Sequence, residues 1–265
     1  MSDLPQAPAV RDLLDLRGRT VLVTGASGGI GAAIAVRLAE AGATVVAHAR
    51  DNPGRLDAVV AGCRGWGAPA HVVTGDLATP EGVRHVTEET VRLTGDVHGL
   101  VNNAALQPLS SLTDMNVAEF DDVFAVNVRA VFLLTQSFGN RAAAQGHPLS
   151  VVNISSIEGE VPAPLHSHYA ASKAAVIMHT RAAALELGPV GVRVNAVLPG
   201  VIHRPGIEEA WPDGVRRWHD AAPLGRLGTG EDVADACLFL LSDASRWVTA
   251  ATLRVDGGVT ANQPF

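Results

Sequence analysis

The sequence predicts a doubly wound α/β fold: one parallel sheet of about seven strands with helices on both faces. Three observations lead there. Runs rich in Val, Ile and Leu alternate with helical patterns from residue 19 onward. The runs are continuously apolar instead of alternating, as strands covered on both faces must be. The chain of 265 residues, 47% hydrophobic, is long enough for one large domain with an ample core.

Each element can be justified in turn. RTVLVTG (19–25) is a buried strand running into glycine, and GIGAAIAVRLAEAG (29–42) is a helix with a glycine stop. ATVVAHA (43–49), AHVVTGD (70–76) and HGLVNNA (98–104) supply the second, third and fourth strands. A long helix is expected over 118–144, then strand LSVVNIS (149–155) and a helix over 167–187. VRVNAVLPG (192–200), a helix over 230–242 and ATLRVDGG (251–258) complete the alternation. Residues 1–17 read as a short mobile arm with one helical turn, and 18–265 as a single domain. Only 200–226 lacks periodicity. It holds Pro205, Pro212 and Pro223, and a long irregular stretch inside a compact domain is expected to be a functional lid.

Composition excludes several classes of function. A net charge of −7 leaves no basic field for nucleic acid. Cys63 and Cys237 form neither a disulfide framework nor a zinc motif. His166 and His168 have no accompanying ligand cluster, so no metal is expected. No leader pattern and no membrane-length apolar run is seen, so the expected compartment is the cytoplasm.

Two features carry chemistry. TGASGGIG (24–31) stands between the first strand and the first helix, where glycines let backbone approach a pyrophosphate and the helix N-terminus favours its charge. HSHYAASKAA (166–175) holds the only tyrosine, Tyr169, and the only lysine, Lys173. At spacing i, i+4 they share one helix face. A surviving lysine among arginines marks a place for a compact ammonium, and a nearby ammonium is expected to lower the tyrosine pKa.

With NNAA (102–105), NISS (153–156) and YAASK (169–173), the pattern resembles the short-chain dehydrogenase/reductase family over about 18–258. Residues 223–258 are similar to its 3-oxoacyl-carrier-protein-reductase-like branch. The resemblance implies a Rossmann-type fold, a homotetramer or homodimer, and hydride transfer between nicotinamide and a small-molecule ketone or secondary alcohol. It assigns Tyr169 as general acid/base, Ser156 to the substrate carbonyl, Lys173 to the nicotinamide ribose and Asn127 to an ordered water. It assigns Gly25, Ser27, Gly29, Ile30 and Gly31 to the pyrophosphate turn, and Asp76 and Leu77 to the adenine. Asn102 and Ala104 fall by the ribose, and Pro199, Gly200 and Ile202 supply backbone contacts.

Ala49 stands where NAD-preferring relatives carry Asp, and Arg50 follows, placed to meet a 2′-phosphate. NADP(H) is therefore favoured over NAD(H), although Gly28 lacks the basic side chain of many NADP users and Asp51 adjoins Arg50. His203 stands where the family commonly has Thr. Gln107, Glu158, His166, His203, Trp211 and Trp218 are substrate candidates, and a mixed polar and aromatic lining suggests hydroxyls or a ring. The alternatives are an NAD-dependent alcohol or polyol dehydrogenase and, in another class, a non-catalytic nucleotide-sensing protein.

Overall fold

The computed structural model describes residues 8–262. Seven parallel strands form one sheet in the order β3-β2-β1-β4-β5-β6-β7. They are β1 (Thr20–Val23), β2 (Thr44–Ala49), β3 (Ala70–Thr74), β4 (Gly99–Asn102), β5 (Leu149–Ile154), β6 (Val192–Pro199) and β7 (Thr252–Val255). Helices α1 (Gly29–Glu40), α2 (Asp57–Gly65) and α9 (Gly230–Leu241) bury Ile34, Leu38, Val59 and Cys237 against one face. On the other face α3 (Pro80–Thr94), α5 (Ala130–Gln145) and α6 (Ser167–Leu187) bury Val86, Leu134, Phe138 and Ala184. The winding reverses between β1 and β4, and sheets of this kind bind ligands outside the carboxyl ends of the strands at that switch.

Three expectations are refined. The helix expected over 118–144 is continuous but carries a wide π turn, Ala125–Arg129, between α4 (Val117–Phe124) and α5. Asn127 sits in that turn, and its side chain is tied to groups outside the helix. Segment 200–226 is not irregular, since it folds as α7 (Ile207–Ala210) and α8 (Pro212–Ala221) around Ile207, Val215, Trp218 and Leu227. The arm is partly domain. Leu16 is fully buried and its N–H donates to Ala41 O at 2.8 Å. A short 3₁₀ turn covers Val10–Asp12, and residues 1–7 lie outside the described residues.

Candidate active site

The glycine turn is closed behind and open in front. A Cβ on Gly31 would stand 2.3 Å from Gly25 O, and one on Gly25 would stand 2.8 Å from Ala104 Cα. A Cβ on Gly28 or Gly29 would meet nothing within 4 Å. Gly25 also has φ +63°, which favours glycine. The first turn of α1 carries no acidic residue, so its positive end is uncancelled. Asn103 braces the turn by donating to Thr24 O at 2.9 Å and Gly25 O at 3.1 Å, while Thr24 Oγ1 accepts from the N–H of Asn103 and of Ala104.

His48, which the sequence reading passed over, ties this turn to the neighbouring strand end. Nearly fully buried, it accepts from Gly25 N–H at Nδ1 (3.2 Å) and donates from Nε2 to Gly75 O (2.9 Å). Those contacts require the neutral ring, and burial holds its pKa below the ordinary histidine range, against the pull of Gly75 O and Asp76. One polar residue inside the apolar run VVAHA was the signal available. Beyond Gly75, Asp76 is exposed and accepts from Ala78 N–H, and Leu77 is buried. Arg50 and Asp51, just past β2, are exposed and paired at 3.2 Å.

Across the switch, β5 and α6 bring together the Ser, Tyr and Lys of the sequence reading. Tyr169 and Lys173 are both buried, with the Lys173 Nζ 5.5 Å from the Tyr169 ring centroid. Lys173 Nζ donates to Ile154 O at 2.8 Å, which leaves two of its three protons for other partners. Ser155 donates to Lys173 O at 2.8 Å and so pins this turn of α6 to the end of β5. Ser156 Oγ accepts from Glu158 N–H at 3.1 Å. Asn127 is committed to structure: Oδ1 accepts from Leu106 N–H, and Nδ2 donates to Leu106 O and to Ser172 Oγ.

Burial dominates the electrostatics. It pushes Tyr169 up to about 12; hydrogen bonding with Ser156 opposes the rise and the Glu158 charge adds to it. Burial brings Lys173 down to about 8. The expected lowering of the tyrosine pKa by the ammonium is not seen in the protein alone, where burial raises it and only the hydrogen bond with Ser156 opposes the rise.

The substrate candidates separate into two groups. Gln107 Nε2 donates to Glu158 Oε1 at 3.3 Å, and His166 Nδ1 lies 2.8 Å from Glu158 Oε2. The His166 ring is 5.8 Å from that of Tyr169. The other three lie in or before α7 and α8. His203 is half-exposed, 3.6 Å from Glu208. Trp211 is 45% exposed, with its ring over Gly214. Trp218 is a packing residue: its ring lies against Gly200 and its Nε1 donates to Arg226 O at 3.3 Å. Pro199 ends β6, Gly200 N–H donates to Val255 O, and Ile202 bridges to Gly228. Asn102 turns its amide inward to Asn153 Oδ1 at 2.8 Å, so what it offers a ligand at the rim is backbone.

The family model described as enoyl-(acyl carrier protein) reductase matches residues 25–260. The chain belongs to the short-chain dehydrogenase/reductase family. It is 40% identical to the L-xylulose reductase of Bos taurus, covering 94% of this chain and 99% of that one. It is 37% identical to an L-rhamnose 1-dehydrogenase (NAD(P)(+)) of Sphingomonas sp., over 93% and 98%. The crystal structure of a gluconate 5-dehydrogenase from Burkholderia cenocepacia in complex with NADP and tartrate superimposes with a TM-score of 0.88, at 31% identity over 95% and 99%. This short-chain dehydrogenase/reductase is thus an enzyme, an oxidoreductase acting on CH–OH/C=O groups with NAD(P). The residues present fit such a dinucleotide: the turn open at Gly28 and Gly29, the uncancelled end of α1 and the two spare protons of Lys173 all lie on the carboxyl rim.

Proposed function

We propose that the enzyme is an NADP(H)-dependent oxidoreductase of small hydroxylated ketones and the corresponding secondary alcohols, with Tyr169 as general acid/base. The observation that carries this is the burial of the only tyrosine and only lysine on one helix face beside Ser156. Bound nicotinamide supplies hydride to the carbonyl carbon, or takes it back in the reverse direction. Tyr169 gives the carbonyl oxygen its proton. Ser156 and Tyr169 both donate to that oxygen as charge builds on it. Lys173, with two protons left free, would hold the nicotinamide ribose and favours the phenolate as proton transfer proceeds. The Asn127 side chain fixes the 106 loop against Ser172, so what it offers an ordered water is the backbone of the π turn.

Arg50 supports the NADP(H) preference, being exposed at the end of β2 with the small, buried Ala49 before it. A second reading, an NAD-dependent polyol dehydrogenase, draws on the Asp51 carboxylate that partners Arg50 at 3.2 Å. Sugar-named relatives and the Gln107–Glu158–His166 cluster support a hydroxylated substrate. Phe120 on α4, Phe132 on α5 and Met178 and Leu185 on α6 are 40–80% exposed, which supports a dimer or tetramer through these helices. A cytoplasmic setting agrees with the absence, among the described residues, of a helix able to cross a membrane.

The test is a carbonyl and alcohol panel read by cofactor absorbance. Tyr169→Phe should lower turnover by about 10²–10⁴-fold while keeping cofactor affinity. Undiminished turnover in that variant would refute the assignment, and nucleotide binding with no turnover of any substrate would favour a sensor.

A further inference from the structure

Among the described residues, Glu158 is the acidic side chain whose charge reaches Tyr169. It follows Ser156 by two residues, and its own N–H donates to Ser156 Oγ. It is not a loose surface group, because its side chain is only 16% exposed and both of its oxygens are engaged. The loops carrying its partners are tied together by the Ser110 N–H, which donates to Leu165 O at 2.9 Å. Leu165 has φ +65°, a left-handed conformation that a residue with a side chain keeps only where its surroundings enforce it. Among the described residues, no arginine or lysine pairs with Glu158.

The chemistry of this cluster is mostly that of an acceptor. With Nδ1–H given to the carboxylate, a neutral His166 keeps Nε2 as an acceptor. Gln107 spends one N–H on Glu158 and keeps Oε1 as an acceptor. Hydroxyl groups can satisfy such a set by donating to it. An anion cannot, and it meets an uncompensated negative charge in a half-buried setting.

We propose that Glu158, fixed by His166 and Gln107, makes this site select uncharged polyhydroxylated substrates and reject those with a carboxylate or phosphate near the reacting carbon. The inference rests on the placement of the substrate beside Ser156 and Tyr169. Three five-carbon probes test it: ribitol, D-ribonate and ribitol 5-phosphate, titrated by calorimetry into the NADP⁺-loaded Tyr169→Phe protein at pH 8.5. Ribitol should bind about tenfold or more tighter than either anion. Adding Glu158→Gln should bring the three within about threefold, chiefly by tightening the anions. His166→Gln, which retains a donor for the carboxylate, should preserve the discrimination and serves as the second variant. Equal binding of ribitol and ribonate, no binding of any probe, or a ratio unmoved by Glu158→Gln overturns the inference. Turnover of the wild type against Tyr169→Phe judges the catalytic reading separately, so the two can fail independently.

Discussion

The two halves of the carboxyl rim are built from different materials. Beside β1, β2 and β3 the surface is made by backbone: a glycine turn closed against Ala104, braced by Asn103 and hung on the His48 ring. Beside β5 and β6 it is made by side chains: the buried ring of Tyr169, and Ser156, Lys173 and the Glu158 cluster, each held by its own hydrogen bonds. A backbone surface offers the same N–H groups whatever the neighbouring side chains are, so it suits a ligand shared across a family. A side-chain surface changes with each substitution, and relatives named for rhamnose, xylulose and gluconate share one fold with this chain.

The largest effect should come from breaking the side-chain half at Lys173. Lys173→Arg keeps the charge, but guanidinium cannot reproduce the compact donor over Ile154 O, so steady-state assays should show a turnover loss of about 10²-fold. Amine-directed reagents find only this lysine and the chain's N-terminal amine, and saturating cofactor should protect both the amine and the activity. Activity of Lys173→Arg equal to wild type would remove the lysine from the mechanism.

The next effect sits where the halves differ most in dependence on side chains. Arg50→Ala should weaken NADPH by about 1.5–3 kcal/mol, the worth of a charge-assisted contact, and leave NADH nearly unchanged. Equal losses for both cofactors in Michaelis constants would sink the NADP(H) preference.

The glycine turn itself, being backbone, can be broken only from beneath. His48→Val strands the Gly25 N–H and Gly75 C=O, each costing about 1–3 kcal/mol if buried unpaired, so dinucleotide affinity should fall about tenfold or more with turnover at saturation retained. His48→Asn, which restores an acceptor toward Gly25, should recover part of that affinity. A loss in turnover number with unchanged affinity would assign His48 a different role.

The smallest effect concerns stability. Burial depresses the Lys173 pKa from the ordinary 10.5 to about 8, so the unfolded chain binds more protons between those values and stability contributed by this site rises with pH across that window. Lys173→Met should therefore melt higher than wild type at pH 7, with the gap narrowing from pH 8 to 10.5. Tyr169 acts oppositely, because its raised pKa makes folding lose stability from pH 10 to about 12. A constant difference between the two proteins across pH 7–10 would show that Lys173 holds its proton in the fold as firmly as in the unfolded chain, and that burial does not depress its pKa.

Much of this was legible in the chain because it is written locally. The apolar runs place all seven strands, and the i, i+4 spacing of Tyr169 and Lys173 survives intact on α6. Four helices were missed: α2, α3, and the pair α7 and α8 in the stretch expected to be irregular. Helix α3 buries only Val83, Val86 and Thr90 on an otherwise charged surface, though Thr79 caps it and Pro80 begins it; α2 is short. The π turn at Asn127 was invisible because an extra residue in a helical turn leaves composition unchanged. Glu158 and His166 were each picked out, but their pairing is made across the loop that carries the left-handed Leu165, which no periodicity predicts. Trp211 and Trp218 each read as a pocket candidate or a packing residue, because aromatic residues in a proline-rich stretch look alike whether they face ligand or glycine.

The solitary tyrosine of α6 also gives the enzyme a built-in optical reporter. Tyrosinate absorbs in the ultraviolet where phenol does not, and every photon so absorbed here comes from Tyr169, since the four tryptophans do not ionise. An ordinary protein would bury that signal under a dozen surface tyrosines. In this one the absorbance change during an alkaline titration is the titration of a single phenol, with its midpoint expected near pH 12 in the protein alone. Repeating it with dinucleotide bound turns the charge state of the reacting group into a spectrum, read without any turnover.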